Sequence, residues 1–360
     1  MTHFCCKTRI VSGRDALGEL GKLGAKRLLL VTDPFFVQNG VAQVVVRQAG
    51  AEETEVFSQV APDPQVALAA AATARVQAFK PDVLVALGGG SAIDLAKAMV
   101  YFSGEKVKLV AIPTTSGSGS EVTNFAILTH EGAKHPLVDE ALVPDVAILD
   151  DTLLEKLPRT LIADTGFDVL AHCAEAFVAT GAGPVTDALA KDAFGRVLGK
   201  LEASYRGDKE VRMEIHAAAT MAGMAFSQAG LGLCHAMAHA LGGRFHVAHG
   251  RLNAVLLPAV ISANAYAAGT RYADLARGAG LGGSADTVAV RNLKNALVAL
   301  RKRLELPETL AEAGISPRAV WQEREALVAD ILADPCCLTN PAKVDGGLVR
   351  QVLEAVTGRG

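Results

Sequence analysis

The segment Asp82–Phe102 reads DVLVALGGGSAIDLAKAMVYF and joins an apolar run, three glycines and an Ala-rich stretch. A continuous apolar run of this length is typical of a strand that is buried on both faces, because a half-exposed strand would alternate apolar and polar residues. The residues from Ala92 to about Phe102 predict a helix. A strand, a glycine turn and a helix in this order predict a parallel sheet covered by helices.

Further apolar runs of the same kind flank this segment at residues 28–33 (LLLVTD), 108–115 (KLVAIPTT) and 146–150 (VAILD). Helical stretches are predicted between them, including one over residues 36–48 that Gly50 closes. We therefore predict an α/β fold with a parallel sheet covered on both faces for the N-terminal part of the chain. A short edge strand near Thr8–Val11 could contribute to a dimer.

The residue composition and the spacing of apolar residues change after Pro158. Runs rich in Val and Ile disappear, and Ala, Leu and Glu at helical spacing dominate up to Gly360. We predict an α/β domain over residues 1–158 and an all-helical domain over residues 159–360. A chain of 360 residues is long enough for two such cores.

Composition excludes several classes of protein. Half of the residues are hydrophobic, 20% are charged, and the net charge of −3 gives neither a nucleic-acid-binding footprint nor a polybasic membrane patch. No uninterrupted run of 18 apolar residues is present, and the N-terminus lacks the apolar core of a secretory signal. The six cysteines include two adjacent pairs and no CxxC spacing, so we expect reduced thiols in a cytoplasmic protein.

Two glycine-rich loops follow predicted strands. Gly88–Ser91 (GGGS) opens a helix, where a backbone without Cβ atoms can approach a phosphate and the helix N-terminus offers N–H donors. The sequence matches neither the GxGxxG fingerprint nor a P-loop, and a tight strand-to-helix turn would explain it equally well. The second loop, Pro113–Glu121 (PTTSGSGSE), also follows a strand. Two such loops at the carboxyl edge of one sheet predict a ligand that contains a pyrophosphate.

Asp33 ends the first clear strand. Its carboxylate could accept hydrogen bonds from an adenosine ribose and would repel a 2′-phosphate, which favours NAD over NADP. The alternative is that Asp33 only opens the turn before Pro34.

Two histidine-rich segments lie in the predicted helical domain: TGFDVLAHCAEAF (165–177) and LCHAMAHALGGRFHVAH (233–249). Residues four apart share a helix face, and both Asp168/His172 and His235/His239 have this spacing. His249 follows after a Gly242-Gly243 break. One carboxylate and three imidazoles presented from these helical segments suit a first-row divalent metal. The structural alternative is a helix-start carboxylate with core histidines. HAMAH lacks the glutamate of HExxH, which argues against a metalloprotease.

The sequence resembles the iron-dependent (group III) alcohol dehydrogenases. Its segments KTRIVSG (7–13) and AGMAFSQAGLGLCHAMAHALGG (222–243) look like a branch of 1-propanol dehydrogenases associated with bacterial microcompartments. Most of the chain is covered, in the order of the family. The matching segments are GGGSAIDLAKA (88–98), IPTTSGSGSEVT (112–123), LVPDVAILD (142–150), TGFDVLAHCAEAF, and HAMAHALGGRFHVAHG (235–250).

The resemblance implies a role for individual residues. It implies metal ligation by Asp168, His172, His235 and His249, and it selects His249 over the neighbouring His246. It implies that His239 is not a ligand but lies near the nicotinamide, where we predict that it acts as the catalytic proton relay. The resemblance also implies a set of residues that bind the cofactor: Gly88, Gly89, Gly90, Ser91, Asp94, Lys97, Thr114, Thr115 and Ser118. Asp33 is predicted to bind the cofactor as well, from its position at the end of a strand.

The resemblance further implies a metal-dependent, NAD(H)-linked alcohol dehydrogenase and aldehyde reductase. We expect it to act on short primary alcohols and aldehydes, with propanal/1-propanol and acetaldehyde/ethanol as leading cases. Fe²⁺ is the expected metal, and the same ligands also suit Zn²⁺. A homodimer, a cytoplasmic location and packaging in a microcompartment with shell proteins as partners are implied in the same way.

Other functions compete with this prediction. A glycerol dehydrogenase-like polyol dehydrogenase would use the same kind of site, whereas a metal-free maleylacetate reductase would not need four ligands. A dehydroquinate synthase-like lyase would need Lys and Arg around a phosphate-bearing substrate, and only Arg244 and Arg251 lie close to the predicted ligands in sequence. A non-catalytic subunit that docks to a microcompartment shell is the non-enzymatic alternative.

Overall fold

The computed structural model describes residues 3–130 and 133–358, which form two compact units. One unit comprises Cys6–Leu157, and the other comprises the described residues from Pro158 onward together with those before Cys6.

The first unit is built on a six-stranded parallel sheet with the strand order β1-β8-β5-β4-β2-β3. A separate antiparallel pair, β6 and β7, was not predicted from the sequence. The strands are β1 Arg9–Ser12, β2 Arg27–Thr32, β3 Glu53–Phe57, β4 Val83–Gly88, β5 Lys108–Pro113, β6 Phe125–His130, β7 Ala133–Val138 and β8 Val146–Leu149.

Helices cover both faces of this sheet, which explains the continuous apolar runs. On β4, Leu84 and Ala86 pack into one core, while Val83 and Val85 pack into a second core on the opposite face. Both sets are almost fully buried, as expected for a sheet between two helical layers. The helices of this unit are α1 Pro34–Gln38, α2 Val41–Ala49, α3 Val66–Phe79 and α4 Gly90–Ser103.

The single helix predicted over residues 36–48 is wrong, because the structure has two helices there. Helix α1 ends at Gln38, and α2 begins at Val41. Gly40 between them has φ 84°, a left-handed conformation that glycine adopts without strain and that cannot continue a right-handed helix.

In the second unit, the regular secondary structure of the described residues is all helical. Helix α5 lies at its centre, and only four of its twenty residues are not buried. The helices are α5 Arg159–Val178, α6 Pro184–Tyr205, α7 Arg212–Ala229, α8 Leu233–Phe245, α9 His249–Gly278, α10 Asp286–Arg303, α11 Pro317–Gln322, α12 Arg324–Ala333 and α13 Gly346–Thr357.

Among the described residues, α9 alone is long and apolar enough to cross a membrane by length and composition. In its most apolar window, 67% of the residues are buried inside the protein. This burial is typical of a core helix in a globular protein.

Candidate functional site

The helical unit brings together side chains from three helices. Asp168 of α5, His235 of α8 and His249, the first residue of α9, offer ligand atoms that all lie within 4.8 Å of one another. The Oδ1 atom of Asp168 is 3.8 Å from Nε2 of His235 and 3.6 Å from Nε2 of His249. One carboxylate and two imidazoles in this arrangement form a candidate metal centre.

A glycine lets α9 start close against α5. A Cβ atom added to Gly250 would lie 2.0 Å from the carbonyl oxygen of Asp164 and 3.3 Å from Cβ of Asp168. No side chain fits there without moving backbone. Gly250 therefore allows His249, its neighbour in the chain, to reach the carboxylate of Asp168.

His172 lies beside this group. Its ring stacks on the ring of His235, with centroids 4.5 Å apart, and on the ring of Phe226 at 4.3 Å. Nδ1 of His172 is buried and has no hydrogen-bond partner among the described residues. Burial, together with the neighbouring His235 and His239, holds the pKa of His172 well below its ordinary value, so the ring stays neutral. A neutral imidazole is the form that binds a metal, and His172 stays a predicted fourth ligand.

Asn253 and Glu175 hold the acidic and basic members of the group in place. The Nδ2 atom of Asn253, on α9, donates a hydrogen bond of 2.8 Å to Oδ1 of Asp168. Glu175, on α5, pairs with Nδ1 of His235 at 2.6 Å. Burial lowers the pKa of His235, but the hydrogen bond and charge of Glu175 outweigh it and raise the pKa above its ordinary value.

Neither Asn253 nor Glu175 was predicted from the sequence. Glu175 lies three residues after His172 and seven after Asp168, so helical spacing alone places it on their face of α5. Asn253 lies four residues after His249 and has the same kind of signal. Asparagine rarely binds a first-row metal, but glutamate often does, so the carboxylate of Glu175 was a signal that the sequence offered.

His239, one turn after His235, has a different environment. Its Nδ1 pairs with Oδ2 of Asp334 at 2.8 Å, and its ring stacks on His249 with centroids 5.1 Å apart. Burial alone would raise the pKa of Asp334, but hydrogen bonds from His239 and from the N–H of Cys336 lower it below its ordinary value. Asp334 is therefore a carboxylate at neutral pH. Because it lies 95 residues from His239 in the chain, no local pattern could have indicated it.

His246 takes no part in either group. It is the C-cap of α8 with φ 57°, and its N–H donates to the carbonyl of Gly242. It ends the helix on the exposed surface.

The donor set fits a first-row divalent metal. Carboxylate oxygen and imidazole nitrogen are ligands that Fe²⁺ and Zn²⁺ both accept. Asp168 and His235 are almost fully buried, and each has a hydrogen-bond partner that orients it, which is the second layer that metal-binding side chains usually have.

The α/β unit brings the predicted cofactor residues together at the carboxyl edge of its sheet. Asp33 follows β2, Gly88 ends β4, and the N–H of Thr114, directly after β5, donates to the carbonyl of Gly88 at 3.0 Å. Gly88 has φ 155°, and a Cβ atom there would lie 2.6 Å from Cβ of Ala92 and 3.7 Å from Oδ2 of Asp33. The strand-to-helix turn therefore requires glycine at this position.

The two glycine-rich loops touch each other. A Cβ atom on Gly89 would lie 3.3 Å from Oγ1 of Thr115, and one on Gly90 would lie 3.1 Å from Oγ of Ser118. Gly89 is the N-cap of α4, with Gly90 and Ser91 in its first turn. This bare backbone at a helix N-terminus, lined by hydroxyl groups, fits the pyrophosphate of a dinucleotide.

Asp94 and Lys97 lie deeper, on the buried face of α4. The Nζ atom of Lys97 donates to the carbonyl oxygens of Thr123 and Phe125 at 2.8 and 2.7 Å, and Asp94 accepts from the N–H of Ile127. Burial lowers the pKa of Lys97 to about 8 and raises that of Asp94. Lys97 thus ties α4 to the start of β6, and its contact with a cofactor stays a prediction.

Asp33 has a local role as well. Its Oδ1 atom accepts a hydrogen bond of 2.9 Å from the N–H of Phe35 and so caps α1. The turn before Pro34 is therefore present, and Oδ2 remains directed toward the glycine turn.

Comparison with known proteins identifies the family. Residues 7–151 match the family model described as iron-containing alcohol dehydrogenase, and residues 162–357 match that of the Fe-containing alcohol dehydrogenase family, C-terminal. The 1-propanol dehydrogenase PduQ of Citrobacter freundii is 40% identical over 98% of this chain and 99% of its own length. The NADPH-dependent butanol dehydrogenase of Clostridium saccharobutylicum is 36% identical over 99% and 98%.

A solved structure has the same fold. Sulfoacetaldehyde reductase from Bifidobacterium kashiwanohense, in complex with NAD⁺, superimposes with a TM-score of 0.91 and 25% identity over the whole of both chains. The predicted fold class, a parallel α/β part followed by a helical part, is thereby confirmed. These matches cover both units of the chain, which belongs to the iron-containing alcohol dehydrogenase family of oxidoreductases.

Proposed function

We propose that this enzyme is a metal-dependent, NAD(H)-linked alcohol dehydrogenase that reduces short aldehydes to primary alcohols, with propanal/1-propanol and acetaldehyde/ethanol as leading substrate pairs. In the proposed direction, one aldehyde, one NADH and one proton give one primary alcohol and one NAD⁺. The observation that carries this proposal is the group of Asp168, His235 and His249, in which Asp168 and His235 are buried.

Asp168, His172, His235 and His249 are the residues that would hold the metal. A divalent metal in such a site supplies a Lewis acid toward a carbonyl or alcohol oxygen. The chain contributes a carboxylate oriented by Asn253, and imidazoles whose ring planes are fixed by stacking and by Glu175. Fixed ligands reduce the reorganisation that binding and turnover would otherwise require.

His239 is suited to the proton transfer that must accompany hydride transfer. Its side chain is 22% exposed, in contrast to the buried His235, so it can exchange protons with solvent. The carboxylate of Asp334 holds Nδ1 and leaves Nε2 to accept or release a proton. We propose that His239 relays the proton between the substrate oxygen and water.

The two glycine-rich loops support binding of a dinucleotide in the α/β unit, and Asp33 supports NAD(H) over NADP(H). A carboxylate attracts the two ribose hydroxyls and repels a 2′-phosphate. The similar butanol dehydrogenase is named as NADPH-dependent, so cofactor preference in this family is a property to be measured for each chain.

The finer parts of the proposal rest on resemblance. We assign residues 1–158 to cofactor binding and residues 159–360 to metal binding and catalysis. The similarity to a 1-propanol dehydrogenase supports a three-carbon substrate. Homodimer formation, a cytoplasmic location and association with microcompartment shell proteins belong to the same proposal.

Anaerobic purification with metal analysis tests the proposal, followed by oxidation of NADH or NADPH with propanal, acetaldehyde and dihydroxyacetone. We expect about one iron per chain, faster oxidation of NADH than of NADPH, and loss of propanal reduction after chelation, with recovery on adding Fe²⁺. Bound zinc with preferential turnover of dihydroxyacetone would favour a polyol dehydrogenase. Aldehyde reduction that survives complete removal of metal would contradict the proposed role of the metal.

A further inference from the structure

Glu175 is a buried carboxylate whose hydrogen-bond partners in the structure are N–H groups at the start of α8. Its side chain is 2% exposed. Oε1 accepts from the N–H of Cys234 at 2.6 Å. Oε2 accepts from the N–H groups of Gly232 and His235 at 3.1 and 3.3 Å, and it lies 2.6 Å from Nδ1 of His235. One side chain of α5 thus holds both the first turn of α8 and the ring of a proposed metal ligand.

The first N–H groups of a helix have no partners within the helix, and a carboxylate is favourable near them. A second group shares this task, since Oδ1 of Asn340 accepts from the N–H of Leu233 at 3.1 Å. The chain makes room for both groups with Gly232, where a Cβ atom would lie 2.7 Å from Oδ1 of Asn340 and 2.9 Å from Oε1 of Glu175. Glu175 and Asn340 therefore cap the same helix, but only Glu175 contacts the histidine.

The contact with His235 fixes where the ring carries its proton. Backbone N–H groups already donate to both oxygens of Glu175, and a carboxylate donates no hydrogen bond, so Nδ1 of His235 takes the donor role. In a neutral ring the other nitrogen, Nε2, then carries the lone pair, and Nδ2 of Asn253 lies 3.5 Å from it. Nε2 is also the nitrogen that lies near Asp168.

We propose that Glu175 is a positioning residue for the metal: it holds His235 in the tautomer with the proton on Nδ1 and directs Nε2 to the ion. This inference deepens the proposed function and rests on it. The competing explanation is that Glu175 only caps α8, in which case its loss would lower stability without a selective effect on the metal.

Glu175→Gln separates the two explanations, because glutamine has the same shape but carries an amide NH₂. The surroundings of Glu175 supply donors, so that NH₂ finds an acceptor only if His235 moves its proton to Nε2 and accepts at Nδ1. The lone pair for the metal is then lost. Asn340→Ala is the matched control, since it removes a cap from the same helix and leaves the pair of Glu175 and His235 intact.

The measurement is titration of the chelator-stripped full-length proteins with Co²⁺, followed by visible absorption, beside thermal unfolding of each protein. We expect Glu175→Gln to bind Co²⁺ about 10–100-fold more weakly than the wild type, and Asn340→Ala to lower the Tm with Co²⁺ affinity within about threefold of the wild type. Wild-type affinity in Glu175→Gln, or equal losses of affinity in both variants, would overturn the inference.

A third variant and a spectroscopic measurement complete the test. If His235→Ala retains wild-type Co²⁺ binding, the proposed metal site itself fails. If His235→Ala loses Co²⁺ and Glu175→Gln does not, only the role of Glu175 fails. Should Glu175→Gln not fold, ¹⁵N NMR of the zinc-loaded wild type decides: we expect the His235 proton on Nδ1 and the metal on Nε2, and the reverse arrangement would overturn the inference.

Discussion

His235 and His239 lie one turn apart on α8, and each presents Nδ1 to a carboxylate, at 2.6 Å in the pair with Glu175 and at 2.8 Å in the pair with Asp334. The side chain of His235 is 1% exposed, whereas that of His239 is 22% exposed. His235 points Nε2 toward Asp168. His239 is absent from that group and belongs to a second one with Asp334 and Cys336.

Both residues are histidines paired with a carboxylate, but their environments differ, and each environment suits a different task. A buried, fully oriented imidazole can hold an ion, and a partly exposed imidazole can exchange protons with water. The difference comes from what packs around each ring, because the spacing in the sequence is common to both.

Removal of the buried histidine should have the largest effect. We expect His235→Ala to lose bound iron and to lower kcat for propanal by about 10³-fold or more, since a Lewis-acid metal contributes several kcal/mol to the transition state. Metal content of the purified protein and kcat at saturating NADH are the measurements. If the His235→Ala enzyme kept full iron content and full turnover, His235 would not be the metal-binding member of the two histidines.

His246→Asn provides the control for this first prediction. His246 also lies at an end of α8, but it is exposed and has φ 57°, a conformation that asparagine tolerates well. Wild-type iron content and kcat are expected. Loss of iron in this variant would mean that any disturbance of the end of α8 empties the site.

His239→Ala should have a different signature. We expect iron content to stay at the wild-type level, because the ring is not among the proposed ligands, while kcat falls by about 10²-fold, the lower end of the usual contribution of a general acid or base. The pH dependence of kcat should change in the same variant. If rate and pH profile match the wild type, His239 has no part in proton transfer; if iron is lost with the rate, its role is in metal binding.

Much of the fold could be predicted from local pattern. The runs at β2, β4 and β5 are apolar on both sides because helices cover both faces of the sheet, and such runs are visible in the sequence. The β6–β7 pair was missed, since FAILTH and AKHPLV alternate weakly and lie outside the main sheet. The break at Gly40 was missed although Asn39 and Gly40 together form a turn signal that the sequence shows.

The candidate site was predictable where its residues share a helix. Asp168 with His172, and His235 with His239, follow from a spacing of four residues. The spacing does not predict which histidine lies near Asp168, because the position of each histidine depends on how α5, α8 and α9 pack. Asp334 reaches His239 from a different helix end, and a contact between residues so distant in the chain leaves no signal in a single sequence.

Asp334→Asn should have the smallest effect of the three and tests the second pair directly. Because the pKa of Asp334 lies below its ordinary value, the substitution removes a charge at neutral pH while Oδ1 can still accept from the N–H of Cys336. We expect kcat to fall by about tenfold, less than in His239→Ala, with iron content and the KM for NADH unchanged, as for a residue that acts through another. Asp330→Asn, an exposed change on α12 that touches only the ion pair with Arg244, is the matched control. Wild-type kcat in Asp334→Asn would show that His239 works without its carboxylate, and loss of iron would place Asp334 in the metal site with Glu175.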